Sequence, residues 1–126
     1  VGPIPVMAVA FSPDGQHLAT GDRAGGVAIR SLATGAVVRK YPAHHSEITT
    51  LVFSADGQWL LSGSTDRTAY AQPIRGGGKA LRLTGHANEI HSLALTADAR
   101  RIVTSSWGRT VKIWDLATGL ELQTLR

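Results

Sequence analysis

The hexapeptide Phe11-Ser12-Pro13-Asp14-Gly15-Gln16 returns as Phe53-Ser54-Ala55-Asp56-Gly57-Gln58 and again, more altered, as Leu95-Thr96-Ala97-Asp98-Ala99-Arg100. The step is 42 residues both times. Gly35, Gly77 and Gly119 keep the same step, and so do His44 and His86, without one insertion. Three such units, 1–42, 43–84 and 85–126, account for all 126 residues. A fixed period of this size marks a stacked or radial repeat architecture, because one such unit cannot bury its apolar faces without a neighbour.

Each unit reads as four short strands. In the first, Val6 to Phe11 is apolar nearly throughout, Pro13-Asp14-Gly15 turns, and Leu18 to Gly21 forms a second run. Gly25-Gly26 turns again, Val27 and Ile29 alternate, and Ala33-Thr34-Gly35 precedes Val37 to Tyr41. The same reading places strands at 48–53, 59–62, 68–72 and 80–83, and then at 90–95, 102–105, 110–114 and 120–125. No stretch has helical periodicity, so the fold class is all-β. Ala99 stands where the first two units carry glycine in the turn after the first strand. That turn is therefore either strained or of a different type.

Val111-Lys112-Ile113-Trp114-Asp115-Leu116, the preceding Gly85-His86, and the Phe-Ser-Pro-Asp-Gly turn at 11–15 recur in register with weaker copies of themselves. In this they resemble the WD-repeat (WD40) family of β-propellers, and the resemblance covers the whole chain. It implies three four-stranded antiparallel blades, about 1–42, 43–84 and 85–126. It also implies a hydrogen-bonded tie within each blade, from a His before the first strand, a Ser or Thr on the second, an Asp in the next turn and a Trp on the third. Carried over by position, the tie is His44, Ser62 and Asp66 in the middle blade, with Gln72 in place of Trp. In the last it is His86, Thr104 and Trp114, with Gly108 in place of Asp. The first blade keeps only Thr20, since Gly2, Ala24 and Arg30 hold the other positions. No blade is complete, which predicts uneven blades on an intact fold.

The resemblance further implies where a partner docks. In propellers of this family the usual docking face bears the lead-in to the first strand and the turn between the second and third. There this chain places Met7, Thr49 and His91 near the axis, with Arg23, Arg67, Trp107 and Arg109 further out. Aromatic and arginine side chains are the types that most often anchor interfaces. The bland alternative for Trp107 is packing on its neighbouring blade.

The remaining chemistry is sparse. A net charge of +4 invites a nucleic-acid reading, but the basic residues are scattered singles and pairs without interleaved aromatics, which argues against it. Cysteine is absent, so thiolate chemistry is excluded and a reducing, cytoplasmic location is the expectation. No apolar run reaches the about 18 residues of a membrane helix. His44-His45-Ser46-Glu47 and the His86/His91 pair are the only metal-like clusters, and the repeat register already explains His44 and His86, so no metal is expected. Gly76-Gly77-Gly78-Lys79 lacks the spacing and following helix of a phosphate loop and reads as an extended turn. No serine lies in a nucleophile-elbow context, and Glu47 and Glu89 are copies of one repeat position rather than a catalytic pair.

The expectation is a non-enzymatic protein-interaction module without cofactors. The alternative is a structural unit whose partner is itself. Three blades subtend far less than a circle, residues 1–5 run straight into a first strand and Arg126 ends a fourth, so no strand exchange latches the ring. The terminal blades then expose apolar faces of a kind that monomers avoid. A dimer of six blades, a trimer of nine, or the remainder of a longer propeller would cover them. A chain starting at Val1 is read as processed or part of something longer.

Overall fold

The structure, a computed structural model, describes residues 3–74 and 78–126. The turn expected at Gly77 and the tie position at Gly2 lie outside them. Twelve strands form three sheets, with no helix among the described residues. The first sheet contains β1 (Val6–Phe11), β2 (His17–Asp22), β3 (Gly26–Ser31) and β4 (Val37–Pro42). The second contains β5 (Ile48–Phe53), β6 (Trp59–Ser64), β7 (Ala69–Pro73) and β8 (Leu81–Leu83). The third contains β9 (Ile90–Leu95), β10 (Arg101–Ser106), β11 (Val111–Asp115) and β12 (Glu121–Leu125). Neighbours in sequence are neighbours in each sheet, and all pairs are antiparallel.

The second strands run past the expected ends at Gly21, Ser62 and Ser105, as far as Asp22, Ser64 and Ser106. Two third strands start one residue late. Thr68 belongs to the turn instead, because its backbone N–H and its hydroxyl both donate to Asp66 Oδ1, at 2.9 and 2.7 Å. Ala99 keeps the turn geometry of Gly15 and Gly57. Its N–H donates to Thr96 O at 2.9 Å, the bond the glycines make, and its φ is 58°. The strain expected at that position is therefore present.

Side chains alternate across each strand, so a sheet sandwiched between two others needs apolar residues at consecutive positions. Leu60 and Leu61 show this most simply, since both are fully buried but in different cores. Leu60 joins Ala19, Val27, Ile29, Ile48 and Leu51 between the first and second sheets. Leu61 joins Ala69, Ala71, Leu83, Leu93, Ile102, Trp114 and Leu116 between the second and third. Each fully buried leucine contributes about 1.5–3 kcal/mol.

The junctions are tight at one repeated point. A Cβ on Gly21 would lie 2.7 Å from Ile48 Cβ, and one on Gly63 would lie 2.7 Å from Ile90 Cγ2. Glycine is required by space there, not by backbone conformation. Ser105 holds the matching position on the third sheet, on a face that no other described strand packs against. The far side of the first sheet is likewise open, with Val9 and Phe11 exposed.

Candidate interaction surface

Each first strand is bulged at its start. Pairing slips between Val6 and Ala8 in β1, between Ile48 and Thr50 in β5, and between Ile90 and Ser92 in β9. The residues passed over are Met7, Thr49 and His91. A bulge turns its residue out of the ladder and re-aims the side chain. The turn between the second and third strands is fastened beside it in every unit. Arg23 N–H donates to Pro5 O at 3.0 Å, Thr65 N–H to Glu47 O at 3.1 Å, and Trp107 N–H to Glu89 O at 3.1 Å. Bulges and turns thus form one rim.

On this rim the residues differ in use. Thr49 is spent on structure, since its hydroxyl lies 2.6 Å from Ile90 O and 3.1 Å from Gly63 O and ties the second sheet to the third. His91 and Trp107 meet with ring centroids 5.0 Å apart, and Trp107 remains 70% exposed. Met7 is exposed, and Arg23 reaches Glu47 at 3.8 Å as a solvated pair. Arg67 and Arg109 occupy matching turn positions with φ of 76° and 64°, where the first unit has Gly25 at 97°. A left-handed non-glycine residue costs about 1–2 kcal/mol. In the first unit no side chain would fit, because a Cβ on Gly25 would stand 2.6 Å from the His44 carbonyl carbon.

Behind the rim lie the polar ties. His44 Nδ1 lies 3.0 Å from Asp66 Oδ2 and Nε2 lies 2.9 Å from Ser62 Oγ. Burial pushes the His44 imidazole below its ordinary value, against the attraction of Asp66. The neutral ring therefore donates from Nδ1 to the carboxylate and accepts at Nε2 from the serine. Burial alone would raise the Asp66 carboxyl. Hydrogen bonds from the Thr68 hydroxyl and the His45 N–H outweigh it and hold the group below the usual carboxylate range.

In the third unit His86 Nε2 lies 2.6 Å from Thr104 Oγ1, and Trp114 Nε1–H donates to the same oxygen at 2.9 Å. Where Asp66 would stand there is Gly108, and the threonine two residues on keeps the place beside the histidine that Thr68 has beside His44 Nδ1 at 3.1 Å. Thr110 Oγ1 approaches His86 Nδ1 at 3.3 Å and Ser106 Oγ at 3.1 Å. Thr68 and Thr110 are members of these ties that the sequence reading did not select. The signal was their shared repeat position, which the first unit breaks with Gly26. Thr20 in the first unit is half-buried.

The family profile described as WD domain, G-beta repeat matches residues 2–29, 35–70 and 77–115. The chain belongs to the WD40 repeat family. No curated protein matches it. Two solved WD40 propellers share its fold: the structure of U3-55K, at TM-score 0.90 and 20% identity, and the crystal structure of the RRP9 WD40 repeats, also at 0.90 and 20%. Each likeness covers 99% of this chain but only 40% and 39% of those chains. The three sheets are thus WD40 blades, and they span about two fifths of the length of these relatives.

Proposed function

We propose that this WD40 segment is a protein-interaction scaffold that presents the rim carrying Met7, His91, Arg23, Arg67, Trp107 and Arg109 to a partner protein. The observation that carries this reading is Trp107. Its indole rests on His91 at the rim while 70% of the residue stays in solvent, so it is held in place without being used up in a core. Interface hot spots are enriched in tryptophan and arginine, and this rim carries both. The opposite rim, with Asp14, Asp56 and Asp98, has a plain structural purpose. Asp56 and Asp98 each accept from the hydroxyl two residues before and the N–H two residues after. This reading gives the chain no catalytic role and needs no cofactor.

The test is affinity capture from an extract of the source cells. His91→Ala and Trp107→Ala should abolish capture while circular dichroism and urea midpoints stay put. Loss of capture on charge reversal at Asp56, with both rim variants still active, would assign the docking face to the other side.

A second reading, assembly of the chain with itself, is favoured by one observation. Val9, Phe11 and Leu18 on the open side of the first blade match by register Leu51, Phe53 and Leu60, which pack against that blade, and also Leu93, Leu95 and Ile102 at the next junction. A further blade, from a longer chain or a second copy, would find a surface of the same design. The contact would be head-to-tail, as in a ring.

A further inference from the structure

We infer that the cavity between the first and second blades is a socket for an aromatic side chain carried on an extended segment of a partner protein. The cavity measures about 330 Å³ and lies at the edge of the junction near the Asp14 and Asp56 turns. Ile29, Val38, Phe53 and Ile74 provide apolar walls, with Arg39 and His17 beside them. Its volume falls in the range of pockets that enclose small ligands, about 300–1,000 Å³.

The class of occupant follows from the repeat. His17 has Trp59 as its counterpart one unit on, and the half-buried Trp59 indole packs against the core of the second junction, as Leu81 and Leu95 do. The protein thus fills one junction with its own indole and leaves the matching place at the other with only the smaller imidazole of His17. Arg39 Nη1 donates to Pro73 O at 3.3 Å, which holds the guanidinium plane at the cavity wall, where it can flank a ring. Asp56 Oδ1 is fixed by Ser54 and the Gln58 N–H, so the turn beside the cavity is preformed.

The source of the ring follows from β4. This strand is the outer edge of its sheet, and Val38 and Arg39 belong both to it and to the cavity wall. An open edge offers main-chain donors and acceptors to an extended peptide, and pockets beside it select its side chains. The inference rests on the scaffold reading only for the ring being part of a protein. It does not depend on which rim docks the main partner.

The experiment is titration of the chain, by heteronuclear NMR, with the end-blocked tripeptide Gly-Trp-Gly and with its Gly-Ala-Gly analogue. Shifts at Ile29, Val38, Phe53 and Ile74 with the tryptophan peptide alone are expected. His17→Trp, which fills the socket from within, should weaken binding roughly tenfold or more. Val38→Lys, at an exposed wall position, should weaken it too and guards against a folding defect in the first variant. The site is overturned by absent or scattered shifts, by equal shifts with the alanine peptide, or by undiminished binding in both variants. Free indole binding as tightly as the tripeptide would overturn the peptide source. None of these outcomes involves capture through Trp107, so failure here and failure of the docking rim are read separately.

Discussion

Gly63 lies so close to Ile90 across the second junction that a Cβ on it would meet Ile90 Cγ2 at 2.7 Å and Thr50 Cγ2 at 2.8 Å. Both carbons belong to branched side chains without slack. Gly63→Ala should therefore cost about 1–3 kcal/mol through overpacking, although alanine suits a strand better than glycine does. Ile90→Ala alone should cost about 2–5 kcal/mol through its cavity. The double variant should lose less than the sum, since each change relieves the other. Strict additivity in urea melts would show that the two positions do not meet.

Ser105 occupies the corresponding position on the open face of the third blade, and Val6 corresponds to Ile48 and Ile90. In a head-to-tail contact between two copies these two would face each other. A serine Cβ would then sit where Gly21 and Gly63 leave room. Ser105→Gly should raise the oligomeric fraction in sedimentation at fixed concentration, because it restores the tight approach of the internal junctions. Unchanged sedimentation would mean that two copies do not meet in this register.

The His44 tie sets how the middle blade responds to acid. Asp66→Ala strands the His44 and His45 donors and should cost about 1–3 kcal/mol. Lys40→Ala, on the exposed surface, should stay within about 0.5 kcal/mol. The His44 and His86 imidazoles are pushed by burial below 6.5, so the unfolded chain takes up protons first as pH falls. Stability is thus complete above about pH 6.5 and declines below it. Asp66, held below 3.8, adds a second loss as pH falls through its folded value. Urea midpoints at pH 8, 6.5 and 5 check the sign, and a midpoint that rises on acidification contradicts it.

Among the described residues the buried Tyr41 hydroxyl has no hydrogen-bond partner, and burial holds it well above the usual phenol range. Its ring meets Tyr70 at 6.0 Å, so the aromatic body packs while the oxygen does not. Tyr41→Phe should leave the fold unchanged and stabilise it by about 1 kcal/mol or more. A loss of stability on thermal melting would reveal a partner for that oxygen.

The period made the strand order and the three-sheet division legible, because a copy of Phe11-Ser12-Pro13-Asp14-Gly15 in register carries its turn with it. Strand ends were less so. Thr68 looks like a β-forming residue and joins the turn because Asp66 captures its hydroxyl, a contact decided by a side chain two residues away. The place of Thr49 in an interblade tie depends on a bulge, which leaves no mark in composition. The cavity beside His17 was invisible for a different reason, since it arises between two units, where one supplies a short side chain and the other the facing wall.

Among the described residues only the middle blade has both sides covered, and β6 carries the mark of it in five consecutive buried residues, Leu60 to Ser64. In a linear array each unit borrows stability from its neighbours. The outer two blades each have one neighbour and the inner one has two. Amide exchange should then follow a gradient along the chain, slowest in β6 and fastest in the open-faced blades, with opening that starts at both ends and meets at the centre.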